Sequence, residues 1–249
     1  MNEEETLIET KQIDWKDSLI LWIALFIVQL FVFTSIIASI YQLTGWNWLI
    51  NFGITGNIIG TWLGVLLTEL GTLLISIFYL RITNKYNFNF TDQFSIEELR
   101  ENNIFLALIF VPIIFFVGII ISYIQSFFFY NPAEQFIYNT IYSPKNIFEL
   151  IIWIVIMLFL VGPVEEIVFR GIIQQGFQNT LIGTQKWISI IIGSLLFSIY
   201  HIDLSNLIPI FFMGLFLGFL YYRTKSTIIC AISHGLYNAV SIFIIFIIV

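Results

Sequence analysis

Two adjacent carboxylates, Glu165 and Glu166, an arginine at Arg170, two histidines, His201 and His234, and an asparagine at Asn238 share one property: each lies within or at the end of a strongly apolar run. An ionisable group costs about 2.5–3.5 kcal/mol or more at the centre of a membrane helix, so each needs a reason to be there. Glu166 and Arg170 are spaced i,i+4, share a helix face and can pair. Glu165 points about 100° away from that face and is left for something else. His201 closes one apolar run, with Phe197 one turn before it; His234 lies inside the last run, with Asn238 one turn later on the same face. Singly, such residues more often join helices than do chemistry. Jointly, a glutamate and two histidines on three different spans are the ligand set of a catalytic zinc with a fourth position for water, namely Glu165, His201 and His234. The same groups also serve without metal: a carboxylate as general base, an imidazole as its partner and Asn238 as an oxyanion donor. Either way the chemistry is activation of water beneath a membrane surface.

The elements that must position these groups follow from composition. Hydrophobic residues make up 59% of the 249 and charged residues 10%, where a soluble domain carries about 25% charged. Mean hydropathy is +0.93. The chain is therefore an integral membrane protein, which excludes a soluble enzyme or a nucleic-acid binder. The net charge of −6 is concentrated in an acidic tail carrying Glu3, Glu4, Glu5, Glu9, Asp14 and Asp17. One cysteine, Cys230, allows no intrachain disulfide and no multi-thiolate metal site. No stretch reads as a cleavable signal peptide.

Seven apolar runs predict spans at 18–41, 57–80, 104–130, 147–169, 187–200, 207–222 and 228–249. They are continuous rather than alternating, so the expected fold is an all-α, polytopic transmembrane bundle of about seven spans and not a barrel. The stretch 46–64 could hold an interfacial turn or re-entrant piece, and would make eight if it crossed. Ser95-Ile96-Glu97-Glu98 reads as a capping box opening a short cytoplasmic helix. Residues 131–146, with Pro132 and Pro144, read as an outer loop. No internal repeat is evident. The expected organisation is one membrane domain over 1–249: an acidic cytoplasmic tail at 1–17, variable N-terminal spans over 18–146, and a core of four helices over 147–249 that carries the site.

Basic residues orient the spans. Lys11, Lys16, Arg81, Lys85, Arg100, Lys186, Arg223 and Lys225 fall on one side and Lys145 on the other. The positive-inside rule then puts the N-terminus in the cytoplasm and the C-terminus outside. If the fourth helix continues to about Gln178, Glu165 lies roughly 20 Å from its cytoplasmic end, His201 at a similar depth and His234 roughly 10–15 Å deep. Tilted helices around a broad cavity are needed to bring the three together.

Glu165-Glu166-Ile167-Val168-Phe169-Arg170-Gly171, Phe197-Ser198-Ile199-Tyr200-His201 and His234-Gly235-Leu236-Tyr237-Asn238 resemble the EExxxR, FxxxH and HxxxN motifs of the CPBP (CAAX protease and bacteriocin-processing, or Abi) family of intramembrane endopeptidases, which includes the type II CAAX prenyl endopeptidases. The helix 214–224, with Gly214 and Gly218, resembles the glycine-spaced element between the last two motifs. The resemblance covers roughly 147–249. It implies that Glu165 and His201 hold and activate the attacking water, that Glu166 supports the site and pairs with Arg170, and that His234 and Asn238 bind metal or stabilise the oxyanion. It also implies a substrate that is a membrane-associated or lipidated peptide or protein, with roles such as CAAX processing, peptide maturation or bacteriocin immunity, in a multi-pass protein of the cell membrane surrounded by lipid. Both mechanisms, zinc-bound and metal-free, fit the residues; two buried histidines beside a carboxylate favour zinc.

Two readings of other classes compete. A proton- or ion-coupled transporter would use Glu69, Glu165, Glu166 and the histidines as a relay, and a non-catalytic scaffold would tolerate their loss. In the hydrolase reading Glu69 stands apart from the chemistry and hydrogen-bonds within the bundle.

Overall fold

Of the 249 residues, the computed structural model describes 12–33, 56–83, 99–128, 143–181 and 186–248. Among them seven helices follow one another and no strand occurs: α1 (Trp15–Val28, continued by a π-helical turn, Gln29–Phe33), α2 (Gly56–Ile82), α3 (Glu101–Ser126), α4 (Ile147–Thr180), α5 (Lys186–Tyr200), α6 (Leu207–Thr224) and α7 (Thr227–Ile248). Five of these, α2, α3, α4, α6 and α7, are long and apolar enough to cross a membrane. Large apolar side chains such as Leu74, Phe78, Phe105, Phe116, Tyr123 and Phe159 stand exposed on the outside of the bundle. That is where hydrocarbon replaces water as solvent. The chain is an all-helical, multi-pass membrane protein, as its composition requires.

The expected boundaries meet the structure closely in the spans. The fourth helix runs past Arg170 to Thr180. Residues 56–64 form the opening turns of α2 rather than a separate turn. Residues 1–11 of the acidic tail, residues 46–55, the Ser95–Glu98 capping box and most of the outer loop lie outside the described residues, and so does any eighth crossing.

Local chemistry sets the helix ends that matter. Asp14 caps α1 through the backbone N–H groups of Lys16 and Asp17, and Asp17 reaches back to the Asp14 N–H to close a capping box. Asn146 caps α4 by accepting from Phe148 and Glu149, each at 3.0 Å. With 15 residues, α5 is only about 22 Å long at 1.5 Å per residue, short of a hydrocarbon core of about 30 Å. Its C-terminal end therefore lies at membrane depth, and that end carries His201.

The core is built from α4, α5, α6 and α7, with α3 packed along α6 and α7. Valine, leucine and phenylalanine side chains of α4 and α6, among them Val168, Phe169, Leu217 and Leu220, fill it together with Phe197 of α5. A Cβ on Gly214 would lie 2.9 Å from the Ser194 side chain, and one on Gly218 2.9 Å from Gln174 Oε1, so the glycine stripe of α6 does serve close helix approach. A smaller cluster joins Ile58 and Ile59 of α2 to Leu150 and Trp153 of α4 and Ile242 of α7.

The start of α1 docks on the far end of α4. Asn179 Nδ2 donates to the Ile13 carbonyl at 2.9 Å, the Trp15 N–H to Thr180 Oγ1 at 3.1 Å, and Trp22 Nε1 to the Leu196 carbonyl of α5 at 2.9 Å. Tyr79 of α2 donates to Asp17 Oδ1 at 3.1 Å, tying the second span to the same corner.

Candidate active site

The site begins with a break in the regularity of α4. Pro163 lacks an amide hydrogen and cannot continue the α-helical ladder. A π-helical turn, Met157–Val161, precedes it; a short α segment, Gly162–Glu166, carries Glu165 and Glu166; and a second π-helical stretch, Ile167–Gln174, follows with Arg170. Such π insertions recur at functional sites because they widen the helix and re-aim side chains. From Gly162 through Gln174 only Pro163 is not buried.

Glu166, Arg170 and His234 form a chain. Arg170 Nε lies 3.1 Å from Glu166 Oε2, and His234 Nδ1 lies 2.9 Å from Glu166 Oε1. Glu166 and Arg170 are fully buried and His234 nearly so. The guanidinium carbon also sits 4.7 Å from the centre of the Phe197 ring, within cation–π range.

Glu165 is outside that chain. Its Oε2 is buried, has no hydrogen-bond partner, and faces His201 Nε2 at 3.8 Å and His234 Nε2 at 3.7 Å. The second nitrogen of each ring is committed. His201 Nδ1 lies 2.8 Å from the Phe197 carbonyl, which can only accept, and His234 Nδ1 meets the Glu166 carboxylate. In its neutral form each ring so held carries its proton on Nδ1 and presents the Nε2 lone pair toward Glu165. Three electron-rich atoms of three helices converge on one point.

The structure brings His234 to Glu165 and Glu166 despite the different depths expected from residue counting. In the turn between α6 and α7 Lys225 adopts a left-handed conformation (φ 56°), and its Nζ donates to Gln178 Oε1 at 3.0 Å, level with the end of α4. The π-helical stretch shortens the rise of α4 between that end and Glu165. His234 reaches Glu166 because α7 and α4 approach at glycine on both sides. A Cβ on Gly162 would stand 3.0 Å from the Ala231 carbonyl and the Gly235 nitrogen, and one on Gly235 3.0 Å from the Met157 carbonyl. Gly162→Val is expected to push the two helices apart, at a cost of about 1–3 kcal/mol, and to draw His234 away from both glutamates. Thermal unfolding should show the loss. Gly118→Ala, whose Cβ meets only Tyr237 Oη at 3.5 Å, should unfold like the parent protein and serves as the control.

Other residues fall into place around this point. Asn238 is half-buried one turn along α7 from His234, and no hydrogen bond among the described residues links its amide to the two glutamates or the imidazoles. Asp203 braces the turn before α6, accepting from the Asn206 N–H at 3.0 Å and from Asn206 Nδ2 at 2.8 Å. Glu69, expected to stand apart, is buried on α2 within electrostatic reach of Glu165 and Tyr200. Its neighbour Thr72 shares a 2.7 Å hydrogen bond with Tyr200. Distance along the chain hid this placement, since only packing of α2 against the Pro163 segment brings Glu69 within electrostatic reach of Glu165. Ile202, next to His201, adopts φ 54°, a left-handed conformation that costs a β-branched residue about 1–2 kcal/mol.

Residues 147–240 match the family model described as type II CAAX prenyl endopeptidase Rce1-like. Glu165, Glu166, Arg170, His201, His234 and Asn238 all fall inside that segment, and the resemblance read from the three motifs is borne out over it. A protein of Mycoplasma capricolum subsp. capricolum, described as uncharacterized, is 26% identical over 216 residues, which are 78% of this chain and 62% of that protein. The chain thus spans less than two thirds of that relative's length. No solved structure matches the chain.

Proposed function

Because residues 147–240 match the type II CAAX prenyl endopeptidase Rce1-like family model, we propose that the chain is an intramembrane endopeptidase that hydrolyses a peptide bond with water activated by Glu165. The observation that carries this reading is the convergence of Glu165 Oε2 with the Nε2 atoms of His201 and His234. With both rings neutral, Glu165 Oε2 and the two Nε2 atoms that it faces are all acceptors, an arrangement that suits something electropositive such as the protons of a water molecule or a cation. Water placed there gives one proton to Glu165 Oε2 and directs the other at an imidazole Nε2. Its oxygen adds to the carbonyl carbon of the scissile bond. The proton taken by Glu165 passes to the amide nitrogen, the C–N bond breaks, and a carboxylate and an amine leave. Glu166 holds the His234 ring through Nδ1, and Arg170 pairs with Glu166 at 3.1 Å. Asn238, one turn beyond His234, would donate to the oxyanion when substrate enters.

Zinc suits the same atoms by chemistry. Both rings already offer Nε2, with Nδ1 hydrogen-bonded to a carboxylate or a carbonyl as in carboxylate–histidine–zinc sites. Ligands about 2.0–2.1 Å from tetrahedral zinc stand about 3.3–3.4 Å apart, a few tenths of an ångström closer than the 3.7 and 3.8 Å separations here. No group of three or more His, Cys, Asp or Glu among the described residues is set closely enough to hold a metal as it stands. A small inward movement of the three side chains is required. Bound there by Glu165, His201 and His234, zinc would supply Lewis acidity and a more acidic water.

The substrate class is a membrane-associated or lipidated peptide, reached from lipid or from the side bearing the basic residues, which we place in the cytoplasm with the N-terminus; the C-terminus is then outside. The test is cleavage of prenylated and unprenylated peptides by protein reconstituted in vesicles, followed by mass spectrometry, before and after a strong chelator and with zinc restored. Cleavage that survives complete metal removal establishes the metal-free form. Loss on chelation with recovery on zinc addition establishes the metal form. Absence of cleavage of any peptide by the intact protein overturns the reading. The Glu69–Glu165 proximity is what a proton relay would also use, so Glu69→Gln belongs in the same assay. Peptidase activity is expected to persist in it, and its complete loss in a folded variant would favour the relay.

A further inference from the structure

His201 hangs on the last, loosening turn of α5. Its backbone N–H reaches the Ser198 carbonyl at 3.3 Å and that of Ile202 reaches Ile199 at 3.1 Å, both i→i+3 bonds of a helix coming undone, before the chain turns left-handed at Ile202. The ring itself depends on the same turn, since Nδ1 bonds the Phe197 carbonyl four residues back. An end held so lightly would not keep an imidazole aimed at Glu165. The tie comes from another span. Gln125, near the C-terminal end of α3 and 4% exposed, donates both hydrogens of its amide to this turn, to the Leu204 and Ser205 carbonyls, each at 2.9 Å. Gln125 opens onto an apolar recess with Ile124, Phe128, Ile208 and Phe212, where little water competes for those carbonyls. Asp203 and Asn206 brace the turn from within.

We propose that Gln125 is a positioning residue for His201. By holding the Leu204 and Ser205 carbonyls it keeps the end of α5 wound and the Nε2 atom of His201 directed at Glu165. The kinetic consequence rests on the hydrolase reading; the structural one does not. Gln125→Met keeps the length of the side chain, suits the apolar recess and removes both donors.

The chain has two histidines, so a sample labelled with 15N in histidine gives two pairs of imidazole nitrogen signals, assigned by His201→Gln and by His234→Gln. In the parent protein both rings should report the Nδ1–H tautomer. In Gln125→Met the His201 ring is expected to lose that fixed tautomer and average, while His234 is unchanged. In the peptidase assay kcat should fall about tenfold to a hundredfold, the effect of a misplaced group, with KM within about twofold of the parent value. Gln125→Asn, whose amide is kept but withdrawn by one methylene, should shift the His201 signal less, and decides the question if Gln125→Met does not accumulate. An unchanged His201 ring, or equal movement of both rings together with a lower melting temperature, would assign Gln125 to general stability and overturn the proposal. An inactive parent protein would overturn the peptidase reading alone, with the imidazole spectra still deciding the role of Gln125.

Discussion

Glu165→Gln is expected to lower kcat by about 10²–10⁴-fold, the range for removing a general base, while the melting temperature stays at the parent value. The two halves of that expectation come from one observation. Glu165 Oε2 converges on both Nε2 atoms yet has no hydrogen-bond partner of its own, so the amide replaces it without breaking a bond that holds helices together. Glutamine cannot accept the water proton, and as a neutral ligand it is a poor substitute in the metal form. Peptide cleavage followed by mass spectrometry, with tryptophan fluorescence melting on the same preparation, reads both quantities. Parent-level cleavage in Glu165→Gln would remove Glu165 from the chemistry, and a collapse in melting temperature would make it structural.

Arg170→Ala should behave in the opposite way. Arg170, Glu166 and His234 form a buried charged chain with contacts of 3.1 and 2.9 Å, and the first two have no exposed side-chain surface. Deleting one member of a buried pair leaves the other charge unpaired, at a cost of about 3–5 kcal/mol. The guanidinium also covers the Phe197 ring, whose carbonyl fixes the His201 tautomer, so its loss disturbs both histidines. Reduced yield and a lower melting temperature are expected together with lost activity. Arg170→Lys should restore little, because a compact ammonium neither meets the Phe197 ring as the planar cation does nor reaches Glu166 in the same geometry. A fully stable but inactive Arg170→Ala protein would give Arg170 a direct part in the reaction.

The candidate site was legible in the sequence to the extent that its chemistry is expensive in lipid. Six polar residues in apolar runs were enough to predict the Glu166–Arg170 neighbourhood by helical spacing and to leave Glu165 free of it. Hydropathy located the seven apolar runs that appear as seven helices among the described residues, five of them long and apolar enough to cross a membrane. What spacing could not give was the contact between helices. The approach of α4 and α7 at Gly162 and Gly235 depends on backbone geometry that no hydropathy pattern encodes. The π-helical stretches around Pro163 change both rise and direction within a run that reads as ordinary helix. Glu69 was visible as a costly residue, but its position beside Glu165 depends on how α2 packs. Gln125 carried a readable signal, an uncharged polar side chain near the end of an apolar span; restricting attention to ionisable groups passed over it.

The docking of residues 13–22 on α4 and α5 has a consequence for biogenesis. Synthesis proceeds from the N-terminus, so α1 enters the bilayer long before its partners exist. The Ile13 carbonyl waits for Asn179, the Trp15 amide for Thr180 and the Trp22 indole for the Leu196 carbonyl. During the translation of well over a hundred residues these three groups lack the partners that α4 and α5 later supply. The insertion machinery, or the water at the membrane surface, must satisfy them in the interval. Nascent chains released before residue 196 would therefore expose an unpaired polar face on their first span. Membrane quality-control proteases could recognise such a face, and the protein's abundance would then depend on how quickly its second half is inserted.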